Sequence, residues 1–264
     1  MNSADAHGIT VLGVLNSTPN WAAVPGQPPL SGHPADLEAW GDFVTAVATR
    51  YEGRVSDYEV WNEPNYNVFW APEPDAAQYT ELLKVAYTAI KTVDPNAVVI
   101  AGSVGATQYH PGLTINPVTF VDQMYDAGAG GYFDAIAFHP YAYSLAFSQG
   151  EDKPATPISQ AEQIYAIMVA NGDGNKKIWA TEYGQPASQV SEANQAAYIG
   201  DFLREWRTLE YAGPAFIHTL ADYDSDSAIE SSFGLLREDF SPKPAFTVVQ
   251  QVIAENEAIE QSAL

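Results

Sequence analysis

The chain contains no cysteine, which excludes disulfide bonds, a thiolate nucleophile and thiolate metal ligation together, and leaves no redox compartment to be read. Basic residues are scarce: eleven Lys and Arg stand against thirty-three Asp and Glu, for a net charge of −22. A surface of that sign repels a phosphate backbone and anionic lipid alike, so neither nucleic acid nor a membrane is expected as a partner. Such acidity speaks about habitat and solubility rather than fold. No stretch approaches the roughly 20 uninterrupted apolar residues that span a bilayer, and Met1-Asn2-Ser3-Ala4-Asp5 lacks a basic and then apolar leader. The compartment stays unassigned, with secretion the favoured one.

What is present is a chain of 264 residues, 46% of them hydrophobic, which suits a single domain over residues 1–264 with one continuous core. Aromatic residues make up 12%, with six Trp and fifteen Tyr, a supply of rings that serves packed cores and sugar-binding clefts equally. Short β-branched or apolar runs alternate with longer segments of helical period. That is the pattern of βα units on a parallel sheet. The predicted strands are Ile9–Leu15, Asp57–Trp61, Ala97–Ala101, Phe133–Phe138, Lys177–Thr181 and Ala215–Thr219. Leu37, Trp40, Phe43, Val44, Val47 and Tyr51 recur at helical spacing, as do Tyr79, Leu82, Leu83, Ala86, Ile90 and Val93. Further helices are predicted at Pro117–Ala127, Ser159–Ala170, Glu192–Glu210 and Pro244–Glu257, with Ser159 and Ser191 as N-caps.

The loops after the strands are long and rich in Pro, Gly, Ser and Asp: Asn16–Pro34, Ser103–Asn116, Tyr141–Ile158 and Asp222–Lys243. In a (β/α) barrel the loops at the carboxyl ends of the strands build the active site, so long loops there suit an extended ligand. Glu63, in Trp61-Asn62-Glu63-Pro64, and Glu182, in Trp179-Ala180-Thr181-Glu182, each directly follow a predicted strand. One glutamate after a strand is ordinarily a surface or capping carboxylate. Two with such flanks point to acid/base work on a glycosidic bond, which needs one carboxyl group to attack and one to protonate.

Tyr58-Glu59-Val60-Trp61-Asn62-Glu63-Pro64-Asn65 resembles the fourth-strand motif of clan A glycoside hydrolases, and Ile178-Trp179-Ala180-Thr181-Glu182-Tyr183-Gly184 is similar to their seventh-strand nucleophile segment. Gly13-Val14-Leu15 before Pro19-Asn20-Trp21 resembles a third strand, and His139-Pro140-Tyr141 the end of a sixth. Phe233-Gly234-Leu235-Leu236 with Ser241-Pro242-Lys243-Pro244-Ala245-Phe246 is similar to the stretch after the eighth strand in family 39 glycosidases, with family 5 a close rival. The resemblance implies a retaining β-glycoside hydrolase without metal or organic cofactor, with Glu63 as acid/base and Glu182 as nucleophile. It also implies that Asn62 bonds the 2-hydroxyl of the sugar and that Tyr141 donates to the nucleophile. The partner it implies is an oligosaccharide or polysaccharide.

If Trp61–Pro64 ends a fourth strand, only one predicted strand precedes it. The expected fold is therefore a TIM-type (β/α) barrel that is incomplete, with six βα units corresponding to strands three to eight, truncated at its N-terminal end relative to the family. Met1–His7 has room for the end of a helix and no more. Open strand edges are costly for a monomer, so either a homodimer or rearranged helices are expected to cover them. Clan A enzymes usually draw an Arg beside the nucleophile from strand two, and no predicted strand supplies it. The competing reading is accordingly a carbohydrate-binding or degenerate barrel. A metal-dependent hydrolase is disfavoured because no His pair has ligand spacing.

Rings in loops after strands, Trp21, Trp70, Tyr109, His110, Tyr143, Tyr183 and Tyr223, are open to sugar stacking or to packing, with Trp21 and Tyr183 the better placed. Trp61, Trp179 and His139 are further expected substrate contacts, His139 through a hydroxyl or a catalytic carboxylate. His218 is expected to face a packed layer inside the last strand. Asp222, Asp224, Asp226 and Glu230 resemble a calcium loop only poorly, lacking its turn glycine and its terminal Glu, and read as a solvated acidic loop.

Overall fold

A computed structural model describes residues 1–28 and 30–262; the loop expected over Asn16–Pro34 thus includes one residue, Pro29, outside the described set. Six strands form one sheet in the order β1-β2-β3-β4-β5-β6: β1 Leu12–Leu15, β2 Asp57–Asn62, β3 Val98–Gly105, β4 Ala135–His139, β5 Lys177–Tyr183 and β6 Ala212–Ile217. The helices are α1 Asn2–Ala6, α2 Leu37–Tyr51, α3 Ala76–Val93, α4 Pro117–Asp126, α5 Pro157–Ala170, α6 Glu192–Trp206 and α7 Pro244–Ser262. Sequential strands lie side by side with helices between them, the topology of a (β/α) barrel with six of its units present among the described residues. The chain divides into two compact units, Met1–Phe138 with Glu162–Ile178, and His139–Ala161 with Trp179–Leu264.

In the first unit, β1, β2 and β3 run parallel, from Leu12 opposite Asp57 to Leu15 opposite Val60, and from Asp57 opposite Val98 to Asn62 opposite Ser103. Every residue of β3 after Val98 is buried, as expected of a parallel strand covered on both faces. The first strand is shorter than its apolar run because the residues ahead of it close α1. Gly8 takes φ of 66° and donates to Asp5 O, while Ile9 N reaches Ala4 O at 3.0 Å, a glycine-terminated helix end. Acidic or amide side chains start the helices: Asp36 accepts from Glu38 N, Asp75 from Ala77 N and Gln78 N, and Asn116 from Val118 N ahead of Pro117. The core here is aromatic. Trp61 lies 6.1 Å from Trp40 and 5.4 Å from Trp70, which meets Tyr79 edge-on at 5.8 Å. Tyr79 in turn donates to Val60 O and accepts from Gly102 N, joining β2 to β3 from below.

In the second unit, Ser191 caps α6 by accepting from Asn194 N. Ser159 is not a cap: α5 begins two residues earlier, at Pro157, and Ser159 reaches back to accept from Thr156 N and donate to Thr156 O. Helices α6 and α7 are joined by Arg204, which binds Glu255 through two nitrogens at 2.7 and 3.0 Å. The last strand starts three residues before its predicted place and ends at Ile217, so His218 lies just past it, half-buried with its ring 5.2 Å from Phe233. It was expected inside a packed layer. Exposed Pro214 sits within β6, at the end of the strand order, where a residue without an N–H is tolerated. Beside it an apolar groove of about 670 Å³ is lined by Trp206, Phe216, Leu220, Val252 and Ile253. Among the described residues no helix is long and apolar enough to cross a membrane.

Candidate active site

The backbone leaves regular geometry at the end of β2. Trp61 and Glu63, neither a glycine, take φ of 77° and 40°, a region that costs a non-glycine residue about 1–3 kcal/mol and is tolerated where the surroundings hold it. Here those surroundings are identifiable. Glu63 N donates to Ser103 Oγ at 3.4 Å, and Glu63 O accepts from Tyr66 N at 3.0 Å, closing a turn. The Glu63 carboxylate rests over Gly105: a side-chain carbon there would lie 2.8 Å from Glu63 Oε1 and 2.5 Å from the Tyr66 ring. Burial raises the Tyr66 phenol to about 12, opposed by a hydrogen bond with Thr107 and reinforced by the nearby charge of Glu63. Its hydroxyl donates to Ala106 O at 3.0 Å.

Glu182 lies at the carboxyl end of β5, its side chain 36% exposed. Tyr141 donates its hydroxyl to Glu182 Oε2 at 3.0 Å. His139 Nδ1 lies 3.7 Å from the same oxygen, while its Nε2 pairs with Thr181 Oγ1 at 3.1 Å. Tyr141, just past the end of β4, thus holds one carboxylate oxygen, with His139 near it but beyond hydrogen-bond distance, and Glu182 stays accessible. His139 itself is buried, with the Glu182 carboxylate near one ring nitrogen and Thr181 on the other. The Tyr141 ring stacks on Tyr183 at 6.3 Å and meets Phe233 at 6.0 Å.

Several residues expected to contact substrate are placed in the core instead. Trp61 and Trp70 are fully enclosed in the aromatic cluster of the first unit, and Trp61 uses its indole N–H on Phe69 O at 2.8 Å. Tyr183 has no exposed surface and stacks on Phe202 at 3.8 Å; burial, and the nearby Asp201 and Tyr198, push its phenol up. A ring without exposed surface cannot stack on a sugar. Trp179 stacks on Phe216 at 6.5 Å, and the two-residue alternation of a strand turns Trp179 and Tyr183 to the face opposite Glu182. By contrast Trp21 is 87% exposed, and Tyr109, Tyr143 and Tyr223 are exposed as well. Asn62 is half-buried, opposite Ser103 in the β2–β3 register. Asp222 is engaged in protein contacts, with Lys243 Nζ at 2.7 Å and Gly234 N at 2.8 Å, and no group of His, Asp and Glu among the described residues could hold a metal ion. The sequence reading passed over Ser103, Gly105 and Tyr66. Only Tyr66 lies near the motif; the other two come from the neighbouring strand, where spacing carries no signal.

The pattern that describes glycosyl hydrolases family 39 matches residues 31–260. A β-xylosidase of Geobacillus stearothermophilus is 24% identical over 236 residues, covering 81% of this chain and 45% of that protein. Among solved structures, a family 39 glycoside hydrolase from the gut symbiont Bacteroides cellulosilyticus WH2 is 27% identical with a TM-score of 0.74, covering 95% of this chain and 51% of the other. A monomeric β-xylosidase from Caulobacter crescentus CB15 is similar in fold, with 21% identity and a TM-score of 0.70 over 94% of this chain and 53% of its own. The chain thus spans about half the length of these relatives. With its family pattern covering most of the sequence and its six βα units matching the barrels of these enzymes, the chain belongs to glycosyl hydrolases family 39.

Proposed function

We propose that this chain is a retaining β-glycoside hydrolase that works by double displacement. Glu182 attacks the anomeric carbon while Glu63 protonates the departing oxygen; Glu63 then deprotonates a water that releases the sugar from Glu182. The observation that carries this reading is the seating of Glu182, an accessible carboxylate at a strand end whose one oxygen is fixed by the Tyr141 hydroxyl at 3.0 Å, leaving the other for attack. Asn62 serves as donor to the 2-hydroxyl, and exposed Trp21 offers a face on which a sugar ring stacks. The substrates are oligo- or polysaccharides, and β-xylosides are the first to try because two of the relatives are β-xylosidases.

The test is release of an aryl alcohol from aryl β-xylosides, followed by a panel of other aryl glycosides, with the first-formed anomer read by NMR. The expected result is retention of configuration and loss of turnover in E182Q with unchanged thermal unfolding; turnover retained in E182Q would overturn the assignment. A second reading, sugar binding with weak or no turnover, is favoured by one observation. Glu182 has no Lys or Arg partner among the described residues. Arg54, Arg204, Arg207 and Arg237 are paired with Asp5, Glu255, Glu255 and Glu192, and Arg50 lies over the Tyr51 ring. Saturable xylo-oligosaccharide binding without turnover in the unaltered chain would select it.

A further inference from the structure

We propose that Asn65 is a positioning residue for Glu63: its side-chain amide continues the β2–β3 ladder past the point where the backbone departs, and so holds Gly105 as the floor on which the Glu63 carboxylate rests. This inference relies on the assignment of Glu63 as the general acid.

The backbone register of β2 and β3 ends with Asn62 opposite Ser103. Beyond it, the left-handed φ at Glu63 turns the chain away, and the next pair of backbone groups on β3 would lose its partner. Asn65 replaces that partner. Its Oδ1 accepts from Gly105 N at 2.8 Å and its Nδ2 donates to Gly105 O at 2.9 Å, so one side chain takes both backbone groups that a parallel neighbour strand would bind with two of its residues. The same Nδ2 donates to Ile115 O at 3.0 Å, and Ile115 N donates to Asn65 O at 2.9 Å, so the loop from β3 to α4 is tied to the same residue. Asn65 is fully buried. An amide that satisfies three backbone groups in a dry site is costly to alter, because each lost partner leaves a polar group stranded.

The consequence reaches the carboxylate through contact. Gly105 carries no side chain, and the Glu63 carboxylate together with the Tyr66 ring fills the space one would occupy. Moving Gly105 therefore moves the surface against which Glu63 is packed. Asn65 touches no reacting atom. What it sets is where the proton is delivered, and a general acid displaced by about 1 Å forfeits up to roughly 100-fold in rate.

The test compares two β-glycosides of the same sugar in the full chain: one with a dinitrophenol leaving group, which departs without a proton, and one with an aliphatic alcohol, which needs it. The ratio of their kcat/KM values does not depend on how much of a preparation is folded, since both substrates meet the same active molecules. E63Q defines the signature, a loss on the alkyl glycoside of about 10²–10⁴-fold with far less on the activated one. N65A and N65D should shift the ratio in the same direction by roughly 10- to 100-fold. Equal losses on both substrates in N65A and N65D would overturn the proposal, as would failure of both variants to fold, which would make Asn65 a residue of the fold alone. If E63Q itself shows no leaving-group dependence, or the unaltered chain turns over neither substrate, it is the assignment of Glu63 that fails. A crystal structure of N65A then decides the clamp separately: a displaced Glu63 carboxylate supports it, and one still seated on Gly105 overturns it.

Discussion

Replacing Tyr141 by Phe removes one oxygen and keeps a ring, which makes it a clean probe of how Glu182 is held. The ring contacts with Tyr183 at 6.3 Å, Phe233 at 6.0 Å and His139 at 6.2 Å all survive the change. What disappears is a 3.0 Å hydrogen bond to a carboxylate, and bonds to charged groups contribute about 1.5–3 kcal/mol. At about 1.4 kcal/mol per factor of ten, kcat/KM should fall roughly 10- to 150-fold if the bond orients the nucleophile throughout its attack. Stability should change by no more than about 1 kcal/mol, because the site is open to water that can replace the lost donor; for a chain of this size that is about 2–4 °C in Tm. The assay is initial rates on an aryl β-xyloside beside thermal unfolding of the same preparations. A Y141F variant with kcat/KM within twofold of the parent would refute the role of this contact. A rate loss that tracks a large drop in Tm would instead assign Tyr141 to packing.

Two further outcomes concern the frame around the site. Lys243, whose side chain is 2% exposed, donates to both oxygens of Asp222 and to Ser232 O. K243M should therefore strand a partly buried carboxylate and cost about 3–5 kcal/mol in urea unfolding, with part of it recovered in the D222N/K243M double variant; a loss below about 1 kcal/mol would show that the pair contributes little. The Tyr66 phenol, raised from 10.0 to about 12, is protonated in the fold at pH values where a free phenol has ionised. Its contribution to stability is complete below pH 10 and is lost as pH rises towards 12. Alkaline unfolding should accordingly begin at higher pH in Y66F than in the parent, and the difference in absorbance titration between the two should show one tyrosine ionising late. An ordinary phenol midpoint in that difference would contradict the burial assigned to Tyr66.

Much of the fold was legible in the sequence because parallel strands and amphipathic helices write themselves as local period. The periodic residues from Leu37 to Tyr51 all fall in α2, and each of the six strands lies where an apolar run predicted it, within a few residues. The misplaced ends have local causes that period does not express: a glycine-closed helix takes up Ile9, and Thr156 rather than Ser159 stands at the start of α5. The positions of the two glutamates were legible, each at or just past the end of a strand. Their neighbours were not. An aromatic residue looks the same in sequence whether it enters a core or lines a cleft, so Trp61 and Tyr183, read as sugar contacts, are instead buried against Trp40, Trp70 and Phe202. Ser103 and Gly105 support Glu63 from another strand, forty residues along the chain. No spacing argument reaches them.

The two carboxylates are held by different means, and that difference can be read out in chemistry. Glu182 is held through a side chain, the Tyr141 hydroxyl that donates to one of its oxygens. Glu63 is fixed through backbone: a left-handed φ at its own position, a turn closed by Tyr66 N, and a glycine floor whose two backbone groups are bound by Asn65. In kcat/KM, which reports the first displacement, weakening the support of a nucleophile slows attack whatever the leaving group, whereas weakening the support of an acid matters only when the leaving group needs a proton. Y141F should therefore depress activated and alkyl glycosides by the same factor, leaving their ratio unchanged, and N65A should depress the alkyl glycoside selectively. If Y141F altered the ratio as N65A does, the division of labour between Glu182 and Glu63 would be wrong, even with both residues essential.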